Sequence, residues 1–313
     1  MGTDETRRGY LLAFAAYGLW GLLPLYWKLV EAVTPLEVTA SRVLLTGLVT
    51  VLLVRARPSG RRRIDLDRRT LRLHAVTAAL LGLNWIVYVW AISSHRVVET
   101  SLGYFINPLV NVVLGVAVLG ERLPRRQRLA VGLAAVGVGI LTVEAGTVPW
   151  VSLLIAGSFG GYGLLRKTSP VAALDGLTVE MAWLAAPAIG LLAWSAGSGR
   201  STIGDAPGPT LALLAAGLAT AVPLLAFGGA ARRIPLSALG LMQYVAPTLQ
   251  FGIGVLLFGE VVGPLKLAGF GVVWLALVLF AADTTRTAMR TRSRSRAIRA
   301  EPVVDPPTGA PVG

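Results

Sequence analysis

Long hydrophobic runs, separated by short polar or basic segments, occupy almost the whole chain. Ten of these runs approach the roughly 20 apolar residues that a membrane-spanning helix requires. The pattern predicts helices over residues 10–27, 36–54, 75–94, 100–120, 129–143, 149–165, 181–197, 210–231, 234–259 and 267–282. The fifth run is short and needs flanking residues to complete a span. We therefore predict an all-α membrane protein with ten transmembrane helices.

The basic residues between these runs predict the orientation of the helices. With the N-terminus placed in the cytoplasm, 24 of the 29 Lys and Arg residues fall on the cytoplasmic side, and four fall on the outer side. Arg42 alone lies well inside a span. Cytoplasmic segments of membrane proteins carry the excess of Lys and Arg. The distribution therefore predicts that both termini are cytoplasmic.

A shift of 139 residues superimposes two parts of the chain without a gap. The matched positions are Pro108 with Pro247, Gly115 with Gly254, Gly120–Glu121 with Gly259–Glu260, and Gly132 with Gly271. In the predicted orientation the two matched helices run in opposite directions. Residues 1–144 and 145–283 are therefore predicted to be inverted repeats of five helices, which in transporters enclose a midplane site. The remaining segment, 284–313, is rich in Arg and then in Pro, and is predicted to be a disordered cytoplasmic tail.

Composition excludes several other classes of protein. The chain is 54% hydrophobic and 14% charged, with a mean hydropathy of +0.68, as expected for a membrane protein. It has no Cys, which excludes disulfides and thiolate ligands, and its two His leave little for a metal site. The net charge of +13 follows the topology, so no nucleic-acid partner is expected. No cofactor is expected either.

Neutral polar residues in two matched spans are the main candidates for a binding site. Tyr104, Asn107 and Asn111 share one helix face, and Gln243 and Gln250 occupy positions matching Tyr104 and Asn111. Polar groups facing lipid are costly, so these side chains should point into the bundle. They could line a solute cavity or form interhelical hydrogen bonds, and the sequence leaves both open. Trp20 and Asn84, inside spans 1 and 3, complete the cavity set.

Two prolines and two charged residues are further candidates. Pro108 and Pro247 lie in mid-span and should kink their helices, either lining the cavity or only shaping the packing. Arg42 should lie roughly 9 Å inside the membrane, at 1.5 Å per residue. Glu99 is its predicted partner, as an outer gate or as a site for a charged part of the cargo; snorkelling of Arg42 to the headgroups is the alternative.

The other acidic candidates lie near the predicted helix ends. Glu121, Glu180 and Glu260 are interpreted as interfacial helix-end residues, each also a possible proton carrier. No acidic residue occupies the centre of a span. Proton coupling would therefore need an interfacial carboxylate that becomes buried in one state.

Several runs in the sequence resemble the RarD branch of the EamA family, within the drug/metabolite transporter superfamily. They are Asn84-Trp85, the run from Glu99 to Leu109, Leu119-Gly120-Glu121-Arg122, the run from Tyr162 to Lys167, and the run from Gln243 to Thr248. The resemblance covers roughly residues 9–283. It implies ten helices, two EamA repeats, a bacterial inner-membrane location and secondary transport, nominally linked with chloramphenicol sensitivity. Relatives line their cavity with helices 1–4 and 6–9, which implies the same for the candidates above.

Together these features favour a secondary transporter that moves a small neutral or amphipathic solute by alternating access, with export as the first direction. Its expected partners are that solute, the lipid bilayer and protons as the candidate coupling ion; the oligomeric state is left open. A lipid-linked substrate flippase and a non-transporting membrane scaffold or sensor are the alternatives. An enzyme is disfavoured because no nucleophile–base or metal set is present.

Overall fold

The computed structural model describes residues 3–58, 67–146 and 149–300, and within these ranges the protein is helical with no strand. The helices are α1 (Thr3–Leu29), α2 (Pro35–Arg55), α3 (Arg68–Ser93), α4 (Val97–Ala117), α5 (Arg125–Ala145), α6 (Trp150–Thr168), α7 (Ala173–Gly197), α8 (Pro207–Leu213), α9 (Ala216–Ala231), α10 (Leu236–Met242), α11 (Val245–Leu257) and α12 (Pro264–Ala300).

The predicted spans correspond closely to these helices. In the described ranges, nine stretches are long and apolar enough to cross a membrane; α8 with α9 forms one of them, and α10 with α11 another. The predicted sixth span is α6, a 19-residue helix outside that set of nine. The described part of the chain thus carries nine or ten candidate membrane spans.

The segment after the last predicted span is helical as far as the structure describes it. Helix α12 continues to Ala300. Residues 284–300 contain no Gly or Pro and are rich in Arg and Ala, which are good helix formers. The rest of the predicted tail, residues 301–313, lies outside the described residues. The disorder and the cytoplasmic location of residues 284–313 stay predictions.

Local sequence explains where two of the helices begin. Pro35 occupies the start of α2, where its missing N–H costs nothing, and the Glu37 N–H donates to the Thr34 hydroxyl at 3.4 Å. Helix α3 begins after Asp67, whose carboxylate accepts a hydrogen bond of 2.9 Å from the Thr70 N–H. Both side chains satisfy backbone donors that a helix leaves free at its N-terminus.

The two prolines predicted to kink their helices have different effects. Helix α4 continues through Pro108, whereas the matched span is interrupted between α10 and α11, just before Pro247. Since Pro247 has no N–H, the Gln243 carbonyl cannot accept the usual bond from it. That carbonyl accepts instead from the Ala246 N–H at 3.1 Å, which tightens the turn.

Helices from the two predicted halves are interleaved in the bundle. Helix α1 packs against α9 and α11, α2 against α7 and α9, and α3 and α4 both pack against α6. Helix α5 pairs with α12. Residues 1–144 therefore do not form a separate body from residues 145–283, and the space between α1–α4 and their partners is bounded by both.

Close packing of α1 on α11 predicts a stability effect at Gly21. An added Cβ at Gly21 would lie 2.7 Å from the Leu249 Cβ, whereas at Gly18 it would meet nothing within 4 Å. We expect Gly21→Ala to destabilise the protein by about 1–3 kcal/mol, since overpacking forces the helices apart. Gly18→Ala, on the same helix, should leave stability nearly unchanged. Thermal unfolding in detergent would measure both, and equal unfolding temperatures would contradict this packing.

Candidate functional site

A cavity of about 220 Å³ lies among α1–α4, α6 and α9–α11. Its wall is mostly aromatic and aliphatic, with a few polar side chains and one guanidinium. The lining residues include Tyr17, Trp20, Trp27, Arg42, Asn84, Trp85, Tyr88, Thr100, Ser101, Tyr104, Phe159, Gln243, Pro247 and Gln250. A concave, largely apolar site with a few convergent polar groups is the usual form of a small-molecule site.

Most of the residues selected from the sequence for a cavity lie on this wall. Trp20, Asn84, Tyr104, Gln243 and Gln250 all line it. They come from α1, α3, α4, the end of α10 and α11, so the bundle brings together residues separated by as many as 230 positions. Pro247 and Arg42 line the same cavity, while Pro108 is not among its lining residues.

Two predicted cavity residues lie behind the wall. Asn107 and Asn111 are fully buried and are not lining residues. The Asn111 amide donates to the Asn107 Oδ1 at 3.2 Å and to the Gln243 Oε1 at 3.0 Å. The bond to Gln243 joins α4 to the end of α10, whereas the bond to Asn107 lies within α4. Of the two interpretations that the sequence left open, interhelical hydrogen bonding therefore describes Asn111, which orients Gln243 at the wall.

A proline inside α1 explains the position of Gln250. Pro24, inside α1, has no N–H to donate to the carbonyl of Trp20, four residues earlier. The Gln250 Nε2 of α11 donates to that carbonyl at 3.1 Å. Asn84 is fixed in a similar way, with its Nδ2 donating to the Ile155 carbonyl at 2.9 Å and to the Ser158 hydroxyl at 3.1 Å. Both amides are thus held by the opposite half of the chain.

Arg42 is the one charged side chain among the lining residues. Its guanidinium carbon lies 4.6 Å from the centre of the Trp85 ring and 5.1 Å from that of Trp27. Its Nε donates to the Thr220 hydroxyl at 3.1 Å, the only hydrogen bond of this guanidinium in the described part of the chain. Stacking between aromatic faces stabilises a cation by about 0.5–2 kcal/mol. The cage holds the charge at the cavity without neutralising it.

The predicted pair between Arg42 and Glu99 is not formed. Glu99 pairs with Arg96, one helical turn away, with the Arg96 NH1 at 3.2 Å from its Oε1. Among the described residues, no carboxylate forms an ion pair with Arg42. Arg42 is half-buried, and its position along α2 does not tell which neighbouring helix its side chain faces.

Several lining residues were missed in the sequence. Trp27, at the end of the first predicted span, was not selected as a site residue, yet its ring contacts the Arg42 guanidinium. Tyr17, Tyr88 and Phe159 were not selected at all. The signal that could have identified Tyr17 and Trp27 is helical spacing on α1, where both recur with Trp20 on the face that carries Pro24.

A buried ionic cluster, away from the cavity, was also missed. Glu180 was interpreted as an interfacial helix-end residue, but it lies two turns inside α7 and is fully buried, so that interpretation is wrong. Its Oε1 is 2.9 Å from the His74 Nδ1 and 3.3 Å from the Arg166 NH1, and its Oε2 accepts from the Tyr162 hydroxyl at 3.1 Å. The cluster joins α3, α6 and α7. Arg166 compensates the charge of Glu180, which makes this carboxylate tolerable in the interior.

The described residues include no candidate metal-binding cluster. Within residues 3–58, 67–146 and 149–300, no group of three or more His, Asp or Glu side chains is arranged to hold a metal ion. The His74–Glu180 pair has only two such members, with Arg166 as the third partner.

Comparisons with known proteins identify relatives along nearly the whole chain. Residues 7–143 match the model of the EamA-like transporter family. The protein RarD of Streptomyces exfoliatus is 46% identical over 94% of both chains, and the protein RarD of Escherichia coli is 42% identical over 93% of this chain and 99% of its own. The uncharacterized transporter YojE of Bacillus subtilis is 37% identical over 88% of this chain and 94% of its own.

One solved crystal structure shows a similar fold. It superimposes with a TM-score of 0.66 at 18% identity, covering 87% of this chain and 96% of the other. Helical architecture and sequence similarity thus agree on a multi-pass membrane protein of a transporter family. The chain belongs to the RarD branch of the EamA family.

Proposed function

We propose that this protein is a secondary transporter of the bacterial inner membrane, and that it carries a small neutral or amphipathic solute by alternating access. The observation that supports this proposal most directly is the cavity around Arg42, which both halves of the chain enclose. In the proposed topology the termini are cytoplasmic and residues 1–144 and 145–283 are inverted repeats. A site between two such repeats can be exposed to each side in turn.

The size and chemistry of the cavity support a small cargo. The cavity volume of about 220 Å³ lies below the roughly 300–1,000 Å³ that is usual for small-molecule sites. Trp20, Trp85 and Tyr104 offer aromatic faces to an apolar part of the cargo. The Gln243 amide and the Arg42 terminal nitrogens offer polar contacts. A cargo with one apolar part and one hydrogen-bond acceptor or single negative charge would use both parts of the wall.

Protons are the proposed coupling ion, and Glu99 is the carboxylate that best fits the role. It is buried, and its Oε2 has no hydrogen-bond partner in the described structure. It precedes Thr100 and Ser101, which line the cavity. Glu180 fits less well, because Arg166, His74, Thr77 and Tyr162 already occupy its oxygens. The proposed direction is export.

Comparison of metabolites inside and outside cells, with a drug panel included, would test the transport proposal. We expect one solute to accumulate in the medium only when the intact protein is present. Trp20→Ala should lose this accumulation, because it removes a ring from the cavity wall. Trp194→Ala is the matched control, since Trp194 is exposed and is not a lining residue. Protein levels in the membrane should be equal in the three strains.

The same experiment separates the proposal from its alternatives. A change confined to envelope lipids would favour a lipid-linked substrate flippase. A phenotype that survives Trp20→Ala but depends on the connecting loops would favour a scaffold or sensor. No flux of any soluble compound at normal protein levels would refute transport of a soluble solute.

A further inference from the structure

Two Gly-Glu turns, one after α4 and one after α11, have the same backbone geometry. Gly120 and Gly259 have φ angles of 65° and 68°, a left-handed conformation that favours glycine. The Glu121 N–H donates to the Gly115 carbonyl at 3.0 Å, and the Glu260 N–H donates to the Gly254 carbonyl at 3.0 Å. The positions are related by the same shift of 139 residues, so the two turns are equivalent parts.

These turns lie at opposite ends of the bundle. Glu5, at the start of α1, bonds Arg233, which precedes α10. Lys28, at the end of α1, lies with its Nζ 4.9 Å from the centre of the Phe258 ring, beside the second turn. Glu5 and Lys28 are 23 residues apart on α1, so at 1.5 Å per residue the helix separates these contacts by about 35 Å.

At the first end, charged side chains hold the connection between α9 and α10. The Glu121 carboxylate accepts from the N–H groups of Leu236 and Ser237 at 2.6 and 2.9 Å, and from the Ser237 hydroxyl at 2.6 Å. Lys167 lies 3.9 Å from that carboxylate and donates to the Ala231 and Ile234 carbonyls at 3.2 and 2.6 Å. Glu121 and Lys167, together with this connection, are named the Glu121 clamp. Glu121 was interpreted as an interfacial helix-end residue or a proton carrier, and in the structure it caps the N-terminus of α10.

The shift of 139 residues gives every member of this clamp a counterpart at the other end. Lys167 corresponds to Lys28, Glu121 to Glu260, and Ser237 to Val98 in the first turn of α4. The carbonyls of Ala231 and Ile234 correspond to those of Ile92 and His95, at the connection between α3 and α4. The match of the two lysines is independent of the Gly-Glu motif, because it lies on α6 and α1.

The counterpart set is not engaged in this structure. Glu260 is exposed, and its carboxylate forms no hydrogen bond or ion pair with any described residue. Lys28 is exposed too, and its ammonium group lies over the Phe258 ring. The cavity lies toward this end, since Trp27 precedes Lys28, and Thr100 and Ser101 lie in the first turns of α4.

We propose that Lys28 and Glu260 form a second clamp, which closes on the first turn of α4 and on the α3–α4 connection when the Glu121 clamp opens. The two clamps alternate, and each seals one end of the cavity. This inference rests on the proposed alternating-access function and on the repeat. It assigns to Glu260 the contact that Glu121 makes now: a carboxylate capping a helix N-terminus, where the helix dipole favours negative charge.

Cysteine pairs can test this proposal, because the natural chain contains no Cys. Arg122→Cys with Pro235→Cys, both exposed beside the Glu121 clamp, reports the engaged clamp. Val261→Cys with Val98→Cys, both exposed beside Glu260 and the start of α4, reports the proposed one. These positions leave Glu121, Glu260 and both lysines in place. Both pairs are treated in membrane vesicles with a short bis-maleimide, and linked peptides are quantified by mass spectrometry. We expect the first pair to link readily and the second to link at a lower but measurable rate.

Lysine variants then test whether the clamps alternate. Lys167→Met weakens the Glu121 clamp and should raise linking of the second pair by about fivefold or more, since the population shifts toward the other state. Lys28→Met should lower that linking. Lys266→Met is the matched control, because Lys266 lies only six residues after Glu260 and is not a member of either clamp. It should leave linking of the second pair unchanged. Absence of any second-pair link, even with Lys167→Met and with the first pair linking normally, would overturn the proposal.

The readout separates this inference from the proposed function. Cross-linking requires neither a known cargo nor transport. Linking of both pairs with the expected lysine effects, in a protein that moves no solute, would support the clamps and refute the transport proposal. Transport without any link of the second pair would refute the clamps alone.

Discussion

An Arg42→Leu protein should reach the membrane at normal levels and transport at least tenfold less cargo than the intact protein. The guanidinium is caged by Trp27 and Trp85 and bonds Thr220 only through Nε, so its terminal nitrogens are available to an acceptor on the cargo. A hydrogen bond to a charged group contributes about 1.5–3 kcal/mol, which corresponds to roughly tenfold to a hundredfold in binding. Vesicle uptake or efflux of the solute that the metabolite comparison identifies would measure the loss of transport.

Two further variants determine whether the geometry or only the charge of Arg42 matters. Arg42→Lys keeps the charge but loses the planar fork and much of the stacking, so we expect intermediate transport. Arg200→Leu removes an exposed Arg outside the spans and should leave transport unchanged. Normal transport by Arg42→Leu, at normal protein levels, would show that Arg42 is a structural residue of the cavity wall.

The second large effect is expected on stability, at the buried ionic cluster. Replacing Arg166 with Met leaves Glu180 in the interior with no permanent positive partner. Breaking a buried ion pair in this way costs about 3–5 kcal/mol, because the remaining charge is desolvated without compensation. We therefore expect a markedly lower unfolding temperature in detergent and less protein in the membrane.

A double variant and a surface pair supply the controls for this effect. Arg166→Met combined with Glu180→Met removes both charges and should recover much of the stability, since apolar side chains often replace a buried pair without loss. Arg57→Met breaks a partly exposed pair with Asp175 and should cost at most about 1 kcal/mol. If Arg166→Met unfolds at the same temperature as Arg57→Met, the cluster is not a major source of stability.

The positions of the helices along the chain were largely predictable, because long apolar runs and helix-breaking residues act locally. The runs over 36–54 and 181–197 lie inside α2 and α7, and the run over 75–94 ends one residue beyond α3. The break between α10 and α11 was less predictable. Pro247 and Pro108 occupy matched positions, yet the helix is interrupted at only one of them. Apart from the prolines, residues 104–111 and 243–250 have no identical matched residue, so the shared proline alone does not predict the break.

The cavity was partly predictable for a similar reason. The cost of placing an amide in lipid directs Asn84, Gln243 and Gln250 into the bundle, and all three line the cavity. The same argument applies equally to Asn111, which lies behind the wall, because both locations avoid lipid. The Glu180 cluster was missed because its partners lie on three helices, and because Arg166 had been counted only as a cytoplasmic charge.

The bond between Gln250 and the Trp20 carbonyl has a consequence for affinity. Pro24 leaves that carbonyl without its helical donor, and an amide from α11 substitutes for it. If α11 moves away from α1 during the transport cycle, the carbonyl becomes a vacant acceptor at the cavity, while the amide becomes a vacant donor. A cargo that carries both a donor and an acceptor would then bind the two conformations with different strength. The ratio of its affinities on the two sides of the membrane would therefore depend on Pro24.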